Sequence, residues 1–358
     1  MAEVVDSGEG CKLLYHGQGQ GDSGALLLRS RLLSIAQRLG FAATTGESMV
    51  LVAAEMASNQ AKYAGGRGFI QVWQQPGPVL DILALDYGPG IEDPEGAKVD
   101  GFSSRNTLGK GLGSIQRLSD ESHLYTRCAD RDGVRRWTGA AVMARFRSPR
   151  SGRGALLADR VGLFSRSLED ERYSGDRIYL RRNGGQLQWL HLDGLGHGDT
   201  AYQTTADLAG YLGWRGEPQE TLLAIDRQLL ATRGAVAILG EVDGAARAVS
   251  LLGVGDMHAH LFGTALDEES TVAFAPGVLG REHKQPTRFD SRFARRGVVI
   301  TASDGIRRNW DGSSFPGLFE HHPQLIAYVV GNIMARMSDD QSLCVVGVDP
   351  DKKNNEGG

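Results

Sequence analysis

The sequence predicts an α+β protein built from two layered domains. Its 358 residues exceed the roughly 250 that a single hydrophobic core supports. The polar segment 148–154, Ser-Pro-Arg-Ser-Gly-Arg-Gly, separates two apolar regions and is the predicted linker. On both sides of it, stretches with helical spacing alternate with β-branched runs, as is typical of sheets flanked by helices. We therefore expect a flexible start at 1–20, domains at 21–147 and 155–349, and a flexible tail at 350–358.

In the first domain, apolar spacing predicts helices at 26–39 and 46–63. The second helix is preceded by the capping-box pattern Thr44-x-x-Glu47. Runs of β-branched and aromatic residues predict strands at 69–73, 79–85, 124–128 and 140–146, and a short helix is expected at 112–119, after a long loop at 88–109.

In the second domain, the same signals predict more strands than helices. Helices are expected at 200–212, 218–232 and 323–337. Strands are expected at 177–180, 187–192, 235–241, 248–254, 258–262, 298–302 and 342–348.

The charge balance gives no reason to expect nucleic acid, because 39 Lys and Arg residues face 43 Asp and Glu residues. No apolar run approaches the roughly 18 residues of a membrane helix, and the first ten residues do not form a signal peptide. The three cysteines are far apart and fit a reducing compartment, without a disulfide framework or a zinc site. We expect a cytoplasmic protein with neither a membrane nor a nucleic-acid partner.

Two acidic patterns in the first half indicate a nucleotide site. Glu55 and Asn59 are four residues apart on a predicted helix and so share a face, where they could orient a nucleophile and ligate Mg²⁺. Asp86 ends a buried strand, where its carboxylate could accept a hydrogen bond from the amino group of adenine. Gly88 and Gly90 allow a tight backbone turn beside it.

A glycine-rich run precedes the short helix and adds a third pattern. It consists of Gly109, Lys110, Gly111, Leu112 and Gly113, and backbone amides at a helix N-terminus attract phosphates. It is not a P-loop, because no Gly-x-x-x-x-Gly-Lys-Ser/Thr occurs. Each pattern alone is common on surfaces or in turns, whereas the three in this order indicate a site for ATP and magnesium.

Over about residues 20–147 these motifs resemble the GHKL ATPase superfamily, and in particular the RsbT-type serine/threonine kinases that act on STAS-domain proteins. The resemblance is carried by the segments 55–66, 86–91, 100–104 and 108–113. It implies the Bergerat ATP-binding fold, an α/β sandwich. By the resemblance, Glu55 is the base for the acceptor hydroxyl, Asn59 is a magnesium ligand, Asp86 contacts adenine, and residues 92–108 form a lid. Tyr87 departs from the family, in which small or polar residues are commoner at this position.

Four carboxylates in the second half lie at or beside strand ends and tight turns. They are Asp176, Asp193, Asp304 and Asp340, and hard oxygen ligands of this kind suit Mg²⁺ or Mn²⁺ rather than zinc. A pair of such ions can activate water for attack on a phosphate ester. A single Asp-Gly pair is usually only a turn, but the run Asp-Gly-Leu-Gly-His-Gly at 193–198 is far rarer.

Over about residues 155–348 the sequence resembles the metal-dependent (PPM) protein phosphatases, specifically their SpoIIE/RsbX-like branch, which have an αββα sandwich. The matching segments are 174–176, 191–198, 253–256, 277–280, 301–305 and 338–342. By the resemblance, Asp193 bridges two Mn²⁺ or Mg²⁺ ions, Gly194 ligates through its carbonyl, Asp304 and Asp340 complete one site, and Asp176 supports the other. The resemblance makes Asp193 and Asp304 catalytic residues.

Three functions are consistent with these patterns. In the first, one half phosphorylates Ser or Thr on a STAS-domain partner and the other half removes phosphate, which would regulate a sigma factor or another downstream protein. In the second, the first half only binds nucleotide and a protein partner, and either sequesters a sigma factor or gates the phosphatase. The third, a plain ATP hydrolase, is the least favoured, because nothing downstream resembles a motor or a transducer.

Overall fold

The structure is a computed structural model, and the chain divides into two compact units. The N-terminal unit comprises Lys12–Ala155 and Ser313–His321, and the C-terminal unit comprises Met1–Cys11, Leu156–Gly312 and His322–Gly358. The residues that the structure describes are 3–6, 11–19, 21–94, 96, 111–129, 136–150, 157, 159–168, 173–183, 185–212, 217–265 and 267–348.

The chain begins with strand β1 (Glu3–Asp6), which belongs to the C-terminal unit. The N-terminal unit then forms a five-stranded antiparallel sheet and three helices. Its strands are β2 (Lys12–Gly17), β3 (Gly68–Gln75), β4 (Val79–Asp86), β5 (Glu121–Arg127) and β6 (Gly139–Arg147), in the spatial order β2-β3-β4-β6-β5. Its helices are α1 (Gly21–Arg38), α2 (Ala43–Tyr63) and α3 (Gly111–Leu118).

The core of the N-terminal unit lies between the helices and one face of this sheet. Leu32 of α1 and Met49 of α2 pack with Ile70, Ile82 and Phe146 of the sheet, all nearly or fully buried. The alternation of side chains along a strand explains the pattern, because every second residue points towards the helices. The core therefore fixes α2, which carries two of the candidate site residues, against the sheet.

The start of helix α2 differs from the capping box expected from the sequence. The helix begins at Ala43, and its N-cap Ala42 makes no side-chain hydrogen bond. Glu47 instead pairs with Arg29 of α1 at 3.1 Å, and the Ser48 hydroxyl donates to the Thr44 carbonyl. The expectation was wrong because Thr44 lies inside the first turn, where its side chain cannot cap the helix.

Within its described residues, the C-terminal unit contains ten strands that are connected by hydrogen bonds and form two layers. The strands that follow β6 are β7 (Val161–Arg166), β8 (Asp176–Asn183), β9 (Gln186–Gly194), β10 (Ala235–Asp243), β11 (Ala248–Val254), β12 (His258–Thr264), β13 (Glu269–Ala273), β14 (Thr287–Ala302) and β15 (Gln341–Val348). One layer has the order β1-β8-β9-β10-β11-β14, and the other has the order β13-β12-β14-β15-β7. Strand β14 joins them, because its first half pairs with β11 and its second half pairs with β12 and β15.

The two layers face each other across a buried interior that includes polar side chains. His191 of β9 lies within hydrogen-bonding distance of Thr301 in β14 and Ser342 in β15, at 2.9 and 2.8 Å. Trp189 of β9 donates to Thr301 across the same interface at 3.3 Å. These bonds hold the ends of β9, β14 and β15 together, and the candidate metal ligands lie at these ends.

Helices cover the outer surfaces of both layers. They are α4 (Gly198–Thr205) against β8 and β9, α5 (Pro218–Leu229) against β10, and α6 (Pro323–Ile333) against β7 and β15. Short 3-10 segments occur at Ala209–Tyr211, Gly312–Ser314 and Leu318–Glu320. Among the described residues, no helix combines the length and apolarity that crossing a bilayer would require.

Several elements depart from the expectations of the sequence. The segment 1–20, expected to be flexible, contains β1 and β2, because pairing with β8 and β3 satisfies their backbone groups without an apolar side-chain pattern. The helix expected at 200–212 ends at Thr205, because Asp207 adopts a positive φ of 59° that a right-handed helix excludes.

A buried ion pair connects two neighbouring strands of the N-terminal sheet. Arg145 of β6 donates to both carboxylate oxygens of Asp81 in β4, at 2.8 and 2.9 Å, and both side chains are fully buried. Replacing Asp81 by Ala should reduce the free energy of unfolding by about 3–5 kcal/mol, because the arginine loses its opposing charge in a dry environment. Urea denaturation measures the loss. The double variant Asp81→Leu/Arg145→Met should recover most of it, and a double variant as unstable as the single one would contradict this account.

Candidate metal centre and nucleotide site

Two carboxylates face each other on neighbouring strands of the C-terminal unit. Asp176 begins β8 and Asp193 lies near the end of β9, and the two are direct cross-strand partners. Like charges directly opposite each other on a sheet are destabilising. The pair therefore indicates a site at which a bound positive charge would stabilise the folded chain.

Asp340 and Asp304 approach the same place from other elements. Asp340 precedes β15, and its two carboxylate oxygens accept hydrogen bonds from the backbone amides of Leu168 and Gly175, at 2.7 and 2.6 Å. Asp304 follows β14 and acts electrostatically on both Asp176 and Asp193. The structure thus brings together the four carboxylates that the sequence singled out. They come from two segments, 176–193 and 304–340, which are more than 100 residues apart in the chain.

The proton affinities of these groups are raised. Burial, acting first, and the neighbouring carboxylates raise the pKa of Asp176 to about 7, although the hydrogen bond from Ser342 and the nearby Ser303 hydroxyl lower it. Burial followed by the charges of Asp176 and Asp304 raises the pKa of Asp193 well above its usual range. Burial and the charges of Asp339 and Asp256 raise the pKa of Asp304 to about 6. A bound cation would reverse these shifts by favouring the ionised forms.

Two further carboxylates, Asp256 and Asp339, lie near this site, and the sequence patterns did not predict them as site residues. Asp256 follows β11, and Asp339 immediately precedes Asp340. Both act electrostatically on Asp193 and on Asp304. The available signals were the segment 253–256, noted only as a matching motif, and the doubled aspartate at 339–340, of which only Asp340 was chosen.

The donor set fits divalent cations such as Mg²⁺ or Mn²⁺. All of these groups offer hard oxygen atoms, and the Oδ1 atom of Asp176 is buried without a hydrogen-bond partner among the described residues. Glycines next to the carboxylates occupy positions at which a side chain would collide with neighbouring backbone atoms. A Cβ on Gly194 would lie 2.8 Å from the Ala201 carbonyl oxygen, and a Cβ on Gly305 would overlap the Asp340 carbonyl.

In the N-terminal unit, Glu55 and Asn59 lie together opposite the start of helix α3. Both are half-buried on one face of α2. A Cβ added to Gly111 would lie 3.1 Å from Oε2 of Glu55 and 3.3 Å from Nδ2 of Asn59. Only a residue without a side chain leaves open space there, next to a helix N-terminus that favours negative charge.

Asp86 is held rigidly at the end of β4. Its Oδ1 atom accepts hydrogen bonds from the backbone amides of Gly88 and Ala140, at 2.8 and 3.1 Å. Burial raises its pKa, which these two bonds and the charge of Arg67 partly offset. Because no described residue donates to Oδ2, that oxygen is available to accept a hydrogen bond from a ligand.

The remaining nucleotide-site predictions lie after β4, at the start of helix α3 and in the segment between them. Gly90 has a φ of 85°, and a Cβ there would lie 2.5 Å from the Arg127 carbonyl oxygen. Leu112 packs its side chain against the core and Gly113 is buried, so only their backbone groups could contact a ligand. Gly109, Lys110 and most of the predicted lid at 92–108 lie outside the described residues.

Comparison with known proteins identifies the N-terminal part of the chain. The serine/threonine-protein kinase RsbT of Bacillus subtilis (strain 168) is 39% identical over 93 residues, which is 25% of this chain and 70% of RsbT. The chain belongs to the RsbT family. No family model matches it. The RsbT relationship concerns the N-terminal part of the chain.

Similar solved structures extend over about half of this RsbT-family chain. One is from the bacterial stressosome, described as a modular system adapted to control secondary messenger signalling, with 24% identity, coverage of 52% of this chain and 97% of that one, and a TM-score of 0.47. RsbX in complex with magnesium is 16% identical, with 52% and 94% covered and a TM-score of 0.44. The SiaA-PP2C domain of Pseudomonas aeruginosa is 16% identical, with 55% and 89% covered and a TM-score of 0.43.

Because Gly111 lies close to Glu55 and Asn59 of α2, we expect nucleotide binding to be sensitive to a side chain at position 111. Gly111→Ala should weaken the binding of Mg²⁺-ATP about tenfold, because the new methyl group would crowd Glu55 and Asn59. Isothermal titration calorimetry measures the affinity. Gly24→Ala is the matched control, because its Cβ would have no neighbour closer than 3.5 Å. Equal affinities for both variants would argue against a ligand at this place.

The raised proton affinities predict how stability depends on pH without metal. Above the ordinary pKa near 3.8 the unfolded chain ionises, whereas the folded chain holds protons on Asp176 and Asp304 up to about pH 7 and 6. Without metal, these carboxylates therefore contribute stability that is lost as the pH rises from about 5 to about 7. The melting temperature of the wild-type protein should fall by roughly 5 °C relative to that of Asp193→Asn over this range, a comparison in which the opposite contribution of the buried neutral histidines cancels.

Differential scanning fluorimetry in the presence of a chelator measures this dependence. Asp193→Asn removes one of the raised groups and should make the fall smaller, and added Mn²⁺ should restore the melting temperature of the wild-type protein. A difference in melting temperature between the wild-type protein and Asp193→Asn that stays constant from pH 5 to pH 7 without metal would contradict the electrostatic account.

Proposed function

We propose that this chain is a two-enzyme phosphorylation switch, in which an ATP-dependent serine/threonine kinase and a metal-dependent protein phosphatase act on the same or related partner proteins. The observation that carries the proposal is the convergence of Asp176, Asp193, Asp304 and Asp340 in a chain whose N-terminal part belongs to a kinase family. In this proposal the N-terminal unit has a GHKL-type Bergerat fold, and the C-terminal unit is a PPM-type αββα sandwich.

In the phosphatase half, the carboxylates and backbone of the chain shape the centre. Asp193 is the residue proposed to be shared by two cations, with Asp176, the Gly194 carbonyl, Asp304 and Asp340 around it. The backbone amides of Leu168 and Gly175 fix the orientation of the Asp340 carboxylate. When bound, Mg²⁺ or Mn²⁺ supplies an acidified water and offsets the charge of a phosphoryl group. No cysteine or serine nucleophile is required.

In the kinase half, positioning and electrostatics carry the reaction. Glu55 is proposed to accept the proton of the attacking hydroxyl, and Asn59, beside it on α2, to ligate Mg²⁺. Asp86, oriented by the amides of Gly88 and Ala140, would accept a hydrogen bond from adenine. The start of α3 at Gly111 would face the phosphates.

The proposed substrate is a STAS-domain protein, modified on Ser or Thr, whose phosphorylation state controls a sigma factor or another downstream regulator. Membership of the RsbT family supports this choice for the kinase half. We place the protein in the cytoplasm, where its free cysteines Cys11, Cys128 and Cys344 would stay reduced.

Two variants separate the activities. Asp193→Asn should lower the dephosphorylation of a phosphorylated STAS-domain protein at least about 100-fold in Mn²⁺, because it removes the shared carboxylate, while ATP binding persists. In the Asp193→Asn background, γ-labelled ATP should transfer its label to the unphosphorylated partner, and Glu55→Gln should abolish that transfer.

Each outcome has a defined meaning. Retained phosphatase turnover in Asp193→Asn would refute the metal assignment. Absence of label on the partner, with ATP bound, would favour an N-terminal unit that only binds nucleotide and gates the phosphatase. ATP turnover that needs no protein partner would instead favour a plain ATP hydrolase.

A further inference from the structure

A continuous hydrogen-bonded chain of buried side chains ends on Asp176. The indole of Trp189 donates to the Thr301 hydroxyl at 3.3 Å, and Thr301 lies 2.9 Å from Nδ1 of His191. Nε2 of His191 lies 2.8 Å from the Ser342 hydroxyl, which donates to Oδ2 of Asp176 at 2.6 Å. All five side chains are buried, with exposed fractions of 0–3%.

The direction of every proton in this chain follows from chemistry. The ionised form of Asp176, which a bound cation favours, can only accept, so the single hydroxyl proton of Ser342 points towards it. Ser342 can then only accept from His191, which must carry its proton on Nε2. Nδ1 is therefore an acceptor for the Thr301 hydroxyl, and Thr301 accepts in turn from the Trp189 N–H, which can only donate.

The imidazole at the centre of this chain is neutral. A neutral ring has one donor and one acceptor, which is what its two neighbours require. The arrangement spans both layers of the sandwich, because Trp189 and His191 belong to β9 whereas Thr301 and Ser342 belong to β14 and β15.

The consequence is an oriented carboxylate. Oδ2 of Asp176 accepts the Ser342 hydroxyl, while Oδ1 is buried without a described partner. The bond therefore selects which oxygen is left for a cation. Groups that hold the ligands of a metal in place commonly contribute ten- to 100-fold to metal affinity.

We propose that Ser342 and His191 are positioning residues, which fix the Asp176 carboxylate so that its Oδ1 atom is presented to a divalent cation. The inference rests on the proposed metal centre, and it assigns these residues no contact with the substrate. Thr301 and Trp189 complete the hydrogen-bonded chain by fixing the tautomer and ring orientation of His191.

The test measures Mn²⁺ affinity by calorimetry on the full chain, together with melting temperature and turnover of p-nitrophenyl phosphate. Ser342→Ala should weaken Mn²⁺ binding about tenfold or more, and Ser342→Thr, which keeps the hydroxyl, should recover most of the affinity. His191→Gln should weaken binding in the same direction. Thr301→Val, which removes a hydroxyl at nearly constant volume, should have a smaller effect.

Cys344→Ala is the matched control. Cys344 lies two residues from Ser342 on β15 and is fully buried, so its truncation opens a comparable space on the same face of the strand. It should lower the melting temperature as Ser342→Ala does, yet leave Mn²⁺ affinity unchanged. If Ser342→Ala and Cys344→Ala have the same Mn²⁺ affinity, the positioning role is refuted.

The same data distinguish this inference from the proposed function. A wild-type protein that binds Mn²⁺ but hydrolyses no phosphate ester would refute the phosphatase proposal and leave the positioning role intact if Ser342→Ala binds Mn²⁺ more weakly. A wild-type protein that hydrolyses the ester, with Ser342→Ala unaffected in affinity, would refute only the positioning role. A wild-type protein that binds no Mn²⁺ would refute both.

Discussion

The repulsion between Asp176 and Asp193 is the constraint on which the C-terminal unit depends. Two carboxylates placed directly opposite each other on β8 and β9, with Asp304, Asp256 and Asp339 within electrostatic range, are unfavourable in a folded chain. The fold tolerates them because burial and mutual repulsion favour protonated forms. The proposed binding of cations would offset this cost to the intrinsic stability of the unit.

Strand β14 extends this local constraint to both layers of the C-terminal unit. Its 16 residues pair with β11 in one layer and with β12 and β15 in the other, so the position of Asp304 at its end depends on both layers. Ser342 connects β15 to Asp176 on β8. The carboxylates can therefore converge only when the two layers are in register, which makes the centre a product of the tertiary fold rather than of any single motif.

The sequence predicted the local features of both sites but could not predict every partner. The Asp-Gly runs marked the ends of β9 and β14, because glycine next to a carboxylate leaves a recognisable local signature. Asp256 was not chosen because an exposed aspartate after a strand looks like any turn residue until its neighbours are known. Residues 287–296 of β14 were likewise missed, since their pattern is mostly polar, and long-range pairing rather than local propensity determines that strand.

The same limit explains why the hydrogen-bonded chain from Trp189 to Asp176 had no signature in the sequence. Its members come from β8, β9, β14 and β15, and in isolation a buried histidine between two hydroxyls is indistinguishable from a satisfied core residue. What distinguishes it is the end of the chain, a carboxylate with one oxygen bonded and the other buried without a described partner. An unpartnered buried acceptor costs free energy, and in the proposed metal centre a bound cation would offset that cost at Oδ1 of Asp176.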